Sequence, residues 1–203
     1  MIEDCTALIL AGGESRRMGQ DKASLVLNGM TLLEHVTLTM RSVFPKVIVS
    51  VRGLRKDIEA QQVCDEAKAS GPLAGLIAGM AQMETTWMFA VACDMPFVKA
   101  DLVIQLAKYR FEELPTGPVQ AVVPIIEGHP QPLAAFYATS TLTAMRKCFA
   151  MGDKSIRGVL TNLIVRYVNA TELRGSDPHL NSFFDLDTPY DLAQAKNMKE
   201  ISI

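Results

Sequence analysis

A glycine-rich, charged loop follows the first apolar run of the chain, and its residue types are suited to binding phosphate. The loop runs from Leu10 to Lys22 and reads Leu-Ala-Gly-Gly-Glu-Ser-Arg-Arg-Met-Gly-Gln-Asp-Lys. Glycines let the backbone approach a ligand closely and expose N–H donors to it. Arg17 offers a planar guanidinium and Lys22 a mobile ammonium, so together they can place two positive charges on a polyphosphate.

Two common phosphate-binding loops do not fit this spacing. A P-loop needs Gly, four residues and then Gly-Lys-Ser/Thr, a pattern that the loop lacks. A dinucleotide fingerprint needs Gly-x-Gly-x-x-Gly and an acidic residue that closes the second strand, whereas that strand ends at Val51-Arg52. A glycine-rich surface loop with incidental charges and a third kind of nucleotide loop remain as alternatives.

An aspartate at the end of an apolar strand is the second candidate for chemistry. Residues 87–93 form a buried-type run, and Asp94 follows it directly. A carboxylate in such a place is costly unless it is paired or bound to a metal. Magnesium prefers oxygen ligands and is often held by one or two carboxylates together with substrate phosphates. We therefore predict that Asp94 is a magnesium ligand. The alternative is an aspartate that caps the following loop, with Pro96 shaping the turn.

The elements that must position these groups alternate between strands and helices. Strands are predicted at residues 6–10, 46–51, just before 64, 87–93, 119–124, 133–137 and 164–168, and helices at residues 31–44, 55–61, 72–83, 101–109, 139–149, 155–160 and 189–198. This alternation predicts a three-layer α/β/α fold, with a mostly parallel sheet between helices on both faces. Ligands of such sheets bind beyond the carboxyl ends of the strands, where the loop and Asp94 lie.

The loop from Leu10 to Lys22 resembles a family signature, Leu-Ala-Gly-Gly-x-Ser-x-Arg-Met-Gly-x-Asp-Lys. This is the signature of the MobA-like nucleotidyltransferases, which include the molybdenum cofactor guanylyltransferases, and every fixed position is matched. Other segments are similar to later motifs of the same family: Asp65 with Gly71-Pro72-Leu73-Ala74-Gly75, then Ala92-Cys93-Asp94-Met95-Pro96-Phe97, then Lys154-Ser155-Ile156-Arg157, and finally Asp185-Leu186-Asp187-Thr188-Pro189-Tyr190-Asp191-Leu192.

The resemblance implies a Rossmann-like nucleotidyltransferase fold and assigns roles to its residues. One domain would span residues 1–203, with residues 1–97 binding nucleotide and metal and residues 98–203 binding the acceptor. Arg17, Lys22 and Asp94 would be catalytic, and Asp94 would hold Mg²⁺ as the cofactor. The implied nucleotide-binding residues are Leu10, Ala11, Gly12, Gly13, Lys22, Asp65, Gly71, Pro72, Leu73, Gly75 and Asp94.

The reaction implied by the resemblance is attack by the terminal phosphate of molybdopterin on the α-phosphorus of GTP, with loss of pyrophosphate. A phosphate monoester with a second pKa of about 6 is largely a dianion at neutral pH, so no strong general base is needed. The sequence agrees, since it shows no recognisable nucleophile–His–acid arrangement. Arg17, Lys22 and magnesium would supply the charge that lets two anions meet.

The C-terminal motif departs from the guanylyl pattern Asn-x-Asn-Thr-Pro, because this chain has Asp185 and Asp187 at the two asparagine positions. Acidic residues here are typical of the related molybdopterin cytidylyltransferases. Asp187 is a candidate second magnesium ligand; alternatively, the segment Asp187-Thr188-Pro189 only begins the last helix with an N-cap and a proline. Cytidylyl transfer, another NTP:phosphate nucleotidyltransferase reaction and a non-catalytic nucleotide-binding protein therefore stay open as alternatives.

The overall composition bears on partners and location. The net charge is −2, which argues against nucleic acid as a partner, and the longest apolar runs, residues 7–11 and 88–93, are too short to span a membrane. The acidic N-terminus does not resemble a signal peptide, and the four separated cysteines favour buried, reduced thiols, so we expect a cytoplasmic protein. His35 is expected at a helix surface or boundary rather than in catalysis. Transient contact with molybdopterin-delivering or molybdoenzyme-assembly proteins is a further expectation.

Overall fold

Strands and helices alternate along the chain in the computed structural model, which describes residues 1–12, 21–64 and 71–198. The strands are β1 (Cys5–Leu10), β2 (Val26–Leu27), β3 (Met30–Thr31), β4 (Lys46–Val51), β5 (Gln61–Cys64), β6 (Trp87–Ala92), β7 (Glu113–Leu114), β8 (Gly117–Pro118), β9 (Ala121–Ile126), β10 (His129–Pro130), β11 (Ala134–Ala138) and β12 (Val165–Asn169). The α-helices are α1 (Leu32–Val43), α2 (Pro72–Met80), α3 (Ala100–Lys108), α4 (Leu142–Ala150), α5 (Ile156–Leu160), α6 (Ala170–Leu173) and α7 (Pro189–Ala195).

One eight-stranded sheet forms the middle layer. Strands β6, β1, β4 and β5 lie side by side and parallel, in that order. Strand β11 is antiparallel to both β6 and β9, and β12 runs parallel to β9 on its other side. The short β10 forms a hairpin with β9, while β2–β3 and β7–β8 are separate two-stranded ribbons. The predicted mostly parallel sheet is confirmed.

The core lies on both faces of this sheet. Side chains of a strand alternate between faces, so Ala7 and Ile9 of β1 belong to one apolar cluster and Leu8 belongs to the other. The first cluster includes residues of α1 and α3, and the second includes residues of α2 and α4. Strand β1 is therefore covered on both sides, which explains why its sequence is a continuous apolar run.

Helix α1 begins where its capping signals predict. The Thr31 side chain accepts a hydrogen bond from the Glu34 N–H, and the Glu34 carboxylate accepts one from the Thr31 N–H at 2.7 Å. This reciprocal capping box satisfies two donors that the first helical turn leaves without partners. The predicted start of the helix is confirmed to within one residue.

The predicted helix at residues 55–61 is wrong. The Gln62 side-chain amide accepts a hydrogen bond from the Arg55 N–H at 2.8 Å and donates to the carbonyl oxygens of Arg55 and Ile58 at 2.7 and 3.1 Å. The Gln62 side chain thus satisfies backbone N–H and C=O groups that would be paired within the segment if it were a helix. The segment forms turns and bends, and β5 begins at Gln61.

Other differences concern element ends and short elements. Helix α2 ends at Met80 instead of residue 83, and α7 ends at Ala195 instead of residue 198. Helix α6 and the two-residue ribbons were not predicted, because elements of two to four residues are too short to show a hydrophobic period.

Two predictions about side-chain exposure are also wrong. His35 is buried, and its Nε2 lies 2.8 Å from the Leu27 carbonyl oxygen, so the ring ties α1 to β2. Cys64 is exposed, because it ends the edge strand β5, whereas Cys5 and Cys93 are buried as expected. None of the described helices has both the length and the apolar character needed to cross a membrane.

Candidate active site

The carboxyl ends of β1 and β6 lie next to each other and bring the two candidate segments together. Leu10 pairs with Ala92 in the strand register, and the Cys93 N–H donates to the Leu10 carbonyl oxygen at 3.0 Å. On the other side, the Ala11 N–H donates to the Ser50 carbonyl oxygen at 2.9 Å. Residues 10–12 and Asp94 therefore share one edge of the sheet, as the sequence predicts.

Lys22 lies at this edge and joins two carboxylates. Its Nζ donates to Asp94 Oδ2 at 2.6 Å and also donates to Asp187 Oδ1. The side chains of Lys22 and Asp94 are only 16 % and 18 % exposed, whereas that of Asp187 is 49 % exposed. Burial alone would lower the pKa of Lys22, but the hydrogen bonds to Asp187 and Asp94 outweigh it and the pKa is raised. The lysine is therefore a firmly charged ammonium.

A short 3₁₀ turn, Lys22–Ser24, fixes the backbone of this lysine. Asp21 caps the turn, since its Oδ1 accepts a hydrogen bond from the Ala23 N–H at 3.2 Å. Ala23 is buried, and so is Leu25, which follows the turn. Lys22 therefore begins a segment whose next residues, Ala23 and Leu25, are anchored in the core.

The C-terminal segment reaches the same edge through a backbone hydrogen bond. The Leu186 N–H donates to the Asp94 carbonyl oxygen at 2.9 Å, and the Leu186 side chain is fully buried in a small cluster with Leu25 and Phe97. Thr188, not Asp187, is the N-cap of α7, and Asp191 completes its capping box. The Asp187 side chain is thus directed to Lys22 rather than to the helix that follows.

Asp185 is exposed and lies close enough to Asp94, Asp187 and Lys22 to feel their charges. Desolvation by the surrounding atoms, and then the negative charges of Asp94 and Asp187, raise the pKa of Asp185 to about 7. Asp185 is exposed to water, and this exposure weakens the effect of desolvation on its pKa. A carboxyl group with a raised pKa carries less negative charge beside Asp94 and Asp187 than a carboxyl group with an ordinary pKa would.

The glycine-containing segment at residues 71–75 begins α2 and is closely packed. Gly71 has a φ of +106°, a conformation that favours glycine, and Pro72 occupies the first helical turn as expected. Leu73 is fully buried in the core. A Cβ at Gly75 would lie 2.6 Å from Leu10 Cδ2 and 2.8 Å from Ser50 Oγ, so the packing of α2 on the sheet favours a glycine there. The nucleotide-binding role of this segment stays a prediction.

Three predicted site residues, Gly13, Arg17 and Asp65, lie outside the described residues. Within the described ranges, no three His, Cys, Asp or Glu side chains are grouped in a way that could hold a metal by themselves. Two carboxylates instead converge on the Lys22 ammonium. That donor set matches magnesium, which commonly takes one or two carboxylates and completes its shell with phosphate oxygens and water.

Sequence reasoning missed two contributors to this geometry. Arg55 binds the Asp21 carboxylate, and buried Asp177 accepts a hydrogen bond from the Ser182 N–H at 2.8 Å in the segment that leads to Asp187. Neither residue belongs to a motif that the sequence displayed. A basic residue close to a motif in space cannot be recognised without knowing which distant segments meet.

Comparisons with known proteins identify the family of this chain. The model of the MobA-like NTP transferase domain matches residues 7–168. A probable molybdenum cofactor guanylyltransferase of Chloroflexus aggregans is 33 % identical over 92 % of this chain and 91 % of its own length. A molybdenum cofactor guanylyltransferase of Syntrophotalea carbinolica is 30 % identical over 92 % of this chain and 88 % of its own length.

Solved structures show the same fold. The molybdopterin-guanine dinucleotide biosynthesis protein A of Archaeoglobus fulgidus is 30 % identical with a TM-score of 0.82, covering 95 % of this chain and 97 % of its own. The 2-C-methyl-D-erythritol 4-phosphate cytidylyltransferase of Thermus thermophilus shares the fold alone. It is 18 % identical with a TM-score of 0.69, covering 95 % of this chain and 97 % of its own. The resemblance inferred from the loop is confirmed, and the chain belongs to the family of MobA-like NTP transferases.

Proposed function

We propose that this chain transfers GMP from GTP to the terminal phosphate of molybdopterin, forming the guanine dinucleotide of the molybdenum cofactor and releasing pyrophosphate. The proposal is supported by relatives named molybdenum cofactor guanylyltransferase that align over most of the chain. One structural observation carries it. A charged lysine and two carboxylates meet at the sheet edge where the signature loop begins, as transfer between two anionic phosphates requires.

Asp94 and Asp187 are the residues that would hold Mg²⁺. Both carboxylates contact the same Lys22 ammonium, so their oxygens lie close enough for one cation to interact with both. Bound there, a magnesium ion would neutralise negative charge on the triphosphate and on the leaving pyrophosphate. Asp94 lies at the end of a central strand and would be the more rigidly placed ligand.

Lys22 would bind the triphosphate through its ammonium, and the backbone of residues 10–12 would lie against the nucleotide. Removing one such electrostatic donor in other enzymes costs roughly 3 kcal/mol of transition-state stabilisation. Arg17, in the same loop, would add a second cation. The acceptor phosphate is mostly dianionic at neutral pH, so the site needs no general base.

The two halves of the chain would divide the work. Residues 1–97 supply the signature loop and Asp94 and would bind nucleotide and metal, while residues 98–203 would bind the acceptor. Asp187 comes from the second half and its carboxylate contacts the same Lys22 ammonium as Asp94 of the first half, so the two halves would meet at the reacting groups. Asp185, which also comes from the second half, would lie on the acceptor side.

Base selectivity in purified protein tests the proposal. The protein is incubated with molybdopterin, Mg²⁺ and either GTP or CTP, and pyrophosphate release is measured. We expect pyrophosphate release with GTP. Release with CTP and none with GTP would instead establish a cytidylyltransferase. Asp65→Ala should weaken GTP binding more than CTP binding, because a carboxylate can accept from the N1–H and N2–H₂ of guanine.

Two substitutions separate catalysis from nucleotide binding alone. Lys22→Met and Asp94→Asn should each lower kcat/KM by roughly 10²-fold or more while the protein stays folded by circular dichroism. GTP binding without turnover in the unsubstituted protein would indicate the non-catalytic alternative. Delivery of molybdopterin by a partner protein would appear as a lower KM when that protein is added.

A further inference from the structure

Arg55 joins two segments that flank the candidate site. Its guanidinium donates to Asp21 Oδ2 and, at 2.8 Å, to Ser24 Oγ, both in the turn that carries Lys22. It also binds Asp57 through both carboxylate oxygens, at 3.2 and 2.6 Å. One planar side chain thus connects the end of the signature loop to the segment that precedes β5.

The backbone of Arg55 is itself held in place. Gln62 of β5 accepts from the Arg55 N–H and donates to its carbonyl oxygen, at 2.8 and 2.7 Å. Because β5 belongs to the sheet, these bonds tie the arginine to the rigid part of the molecule. The Arg55 side chain is 22 % exposed, and the carboxylates of Asp21 and Asp57 are 45 % and 65 % exposed, so the arginine is the more buried member of both ion pairs.

The connection from Arg55 to Lys22 runs through Asp21. The Asp21 carboxylate caps the turn by accepting from the Ala23 N–H, and its other oxygen takes the Arg55 hydrogen bond. Lys22 is the first residue of this turn, and its ammonium reaches the two carboxylates at the sheet edge. A shift of Asp21 would therefore move the backbone from which the Lys22 side chain extends.

We propose that Arg55 is a positioning residue that holds Asp21, and through it the Lys22 ammonium, in the place where the nucleoside triphosphate binds. The inference rests on the proposed function, since it assigns Lys22 to the triphosphate. A lysine could not replace Arg55 fully, because binding two carboxylates and a hydroxyl at once requires the planar fork of donors. Among the described residues, the Arg55 guanidinium binds Asp21, Ser24 and Asp57 and not Lys22, Asp94 or Asp187, so it would act through the turn.

A double-mutant cycle tests this connection. The affinity for GTP with Mg²⁺ is measured by calorimetry for the unsubstituted protein, Arg55→Ala, Lys22→Met and the double variant. We expect Arg55→Ala to weaken GTP binding about tenfold alone and by less than about twofold in the Lys22→Met background, because groups that act in series are not additive. Arg55→Lys should fall between. Glu84→Gln, which breaks the exposed Lys46–Glu84 pair at 2.7 Å, is the matched control and should leave the affinity unchanged.

A second measurement follows Lys22 without any nucleotide. Lysines are reductively methylated with ¹³C, and the Lys22 resonance is identified by its loss in Lys22→Arg. Arg55→Ala should move this resonance toward those of exposed lysines, and Glu84→Gln should not. This readout decides the matter if the binding affinity of Lys22→Met is too weak to measure.

The outcomes separate the inference from the proposed function. Equal loss of GTP affinity in both backgrounds, or an unmoved Lys22 resonance in Arg55→Ala, would overturn the positioning role and leave the proposed function intact. Failure of the unsubstituted protein to bind GTP would overturn both. If Arg55→Ala does not fold, Asp21→Asn breaks the same ion pair with little change in size and is judged by the same two readouts.

Discussion

The closest approach of helix α2 to the sheet predicts a measurable cost for one added methyl group. A Cβ at Gly79 would lie 2.5 Å from both Cδ atoms of Leu8 and 3.0 Å from its Cγ. Leu8 is 0 % exposed and packs in the same cluster as Leu73 and Leu76, so its side chain cannot move out into solvent to make room. Gly79→Ala therefore forces either the helix or the strand to shift.

The size of the effect follows from two opposing contributions. Overpacking a dense core typically costs about 1–3 kcal/mol. Alanine in place of glycine within a helix returns about 1 kcal/mol. With three Leu8 atoms in conflict, we expect Gly79→Ala to destabilise the protein by about 1–2 kcal/mol. In a chain of this size, each 1 kcal/mol lowers the thermal midpoint by roughly 2–4 °C.

Urea unfolding followed by circular dichroism measures this change. Gly175→Ala is the control, since a Cβ there meets nothing within 4 Å, and it should be neutral or slightly stabilising. Adding Leu8→Val to Gly79→Ala should cost less than the sum of the two single changes, because valine makes room for the new methyl group. A Gly79→Ala protein as stable as the parent would refute the claim that close packing of helix on strand requires this glycine.

Three other predictions concern the site and its surroundings. Asp187→Asn should keep turnover at saturating Mg²⁺ but raise the Mg²⁺ concentration for half-maximal rate several-fold, because the amide oxygen still ligates but lacks the charge; an unchanged Mg²⁺ dependence would remove Asp187 from the metal site. Asp191→Asn should cost about 0.3–1 kcal/mol near neutral pH in urea unfolding, because it removes a carboxylate charge from the first turn of α7 and weakens its capping box. The hydrogen bond from the Thr188 side chain is the main cause that lowers the pKa of Asp191 in the folded protein. The stabilisation is therefore present above the pKa of Asp191 in the unfolded chain and is lost as the pH falls through its pKa in the folded protein. The unsubstituted protein and Asp191→Asn should become equally stable in strong acid. Burial raises the pKa of Cys5 to about 12, so iodoacetamide at pH 8 should alkylate exposed Cys64 quickly and Cys5 only after denaturant is added, as mass spectrometry of peptides would show.

The sequence alone determined features whose causes lie within a few residues of each other. The capping box of Thr31 and Glu34 and the continuous apolar run of β1 are local patterns, and the structure has both where they were predicted. The order of strands and helices then placed the signature loop and Asp94 at one sheet edge, because the carboxyl ends of parallel strands lie together. The family followed from the same short loop.

Only the tertiary structure decided which distant residues meet at that edge. Asp187 reaches Lys22 across 165 positions, and Arg55 reaches Asp21 across 34. His35 becomes a core residue because the ribbon of β2 and β3 folds over its helix and offers a carbonyl oxygen. Such contacts depend on how separate elements pack, and hydrophobic packing is not directional, so no local pattern of residues could specify them.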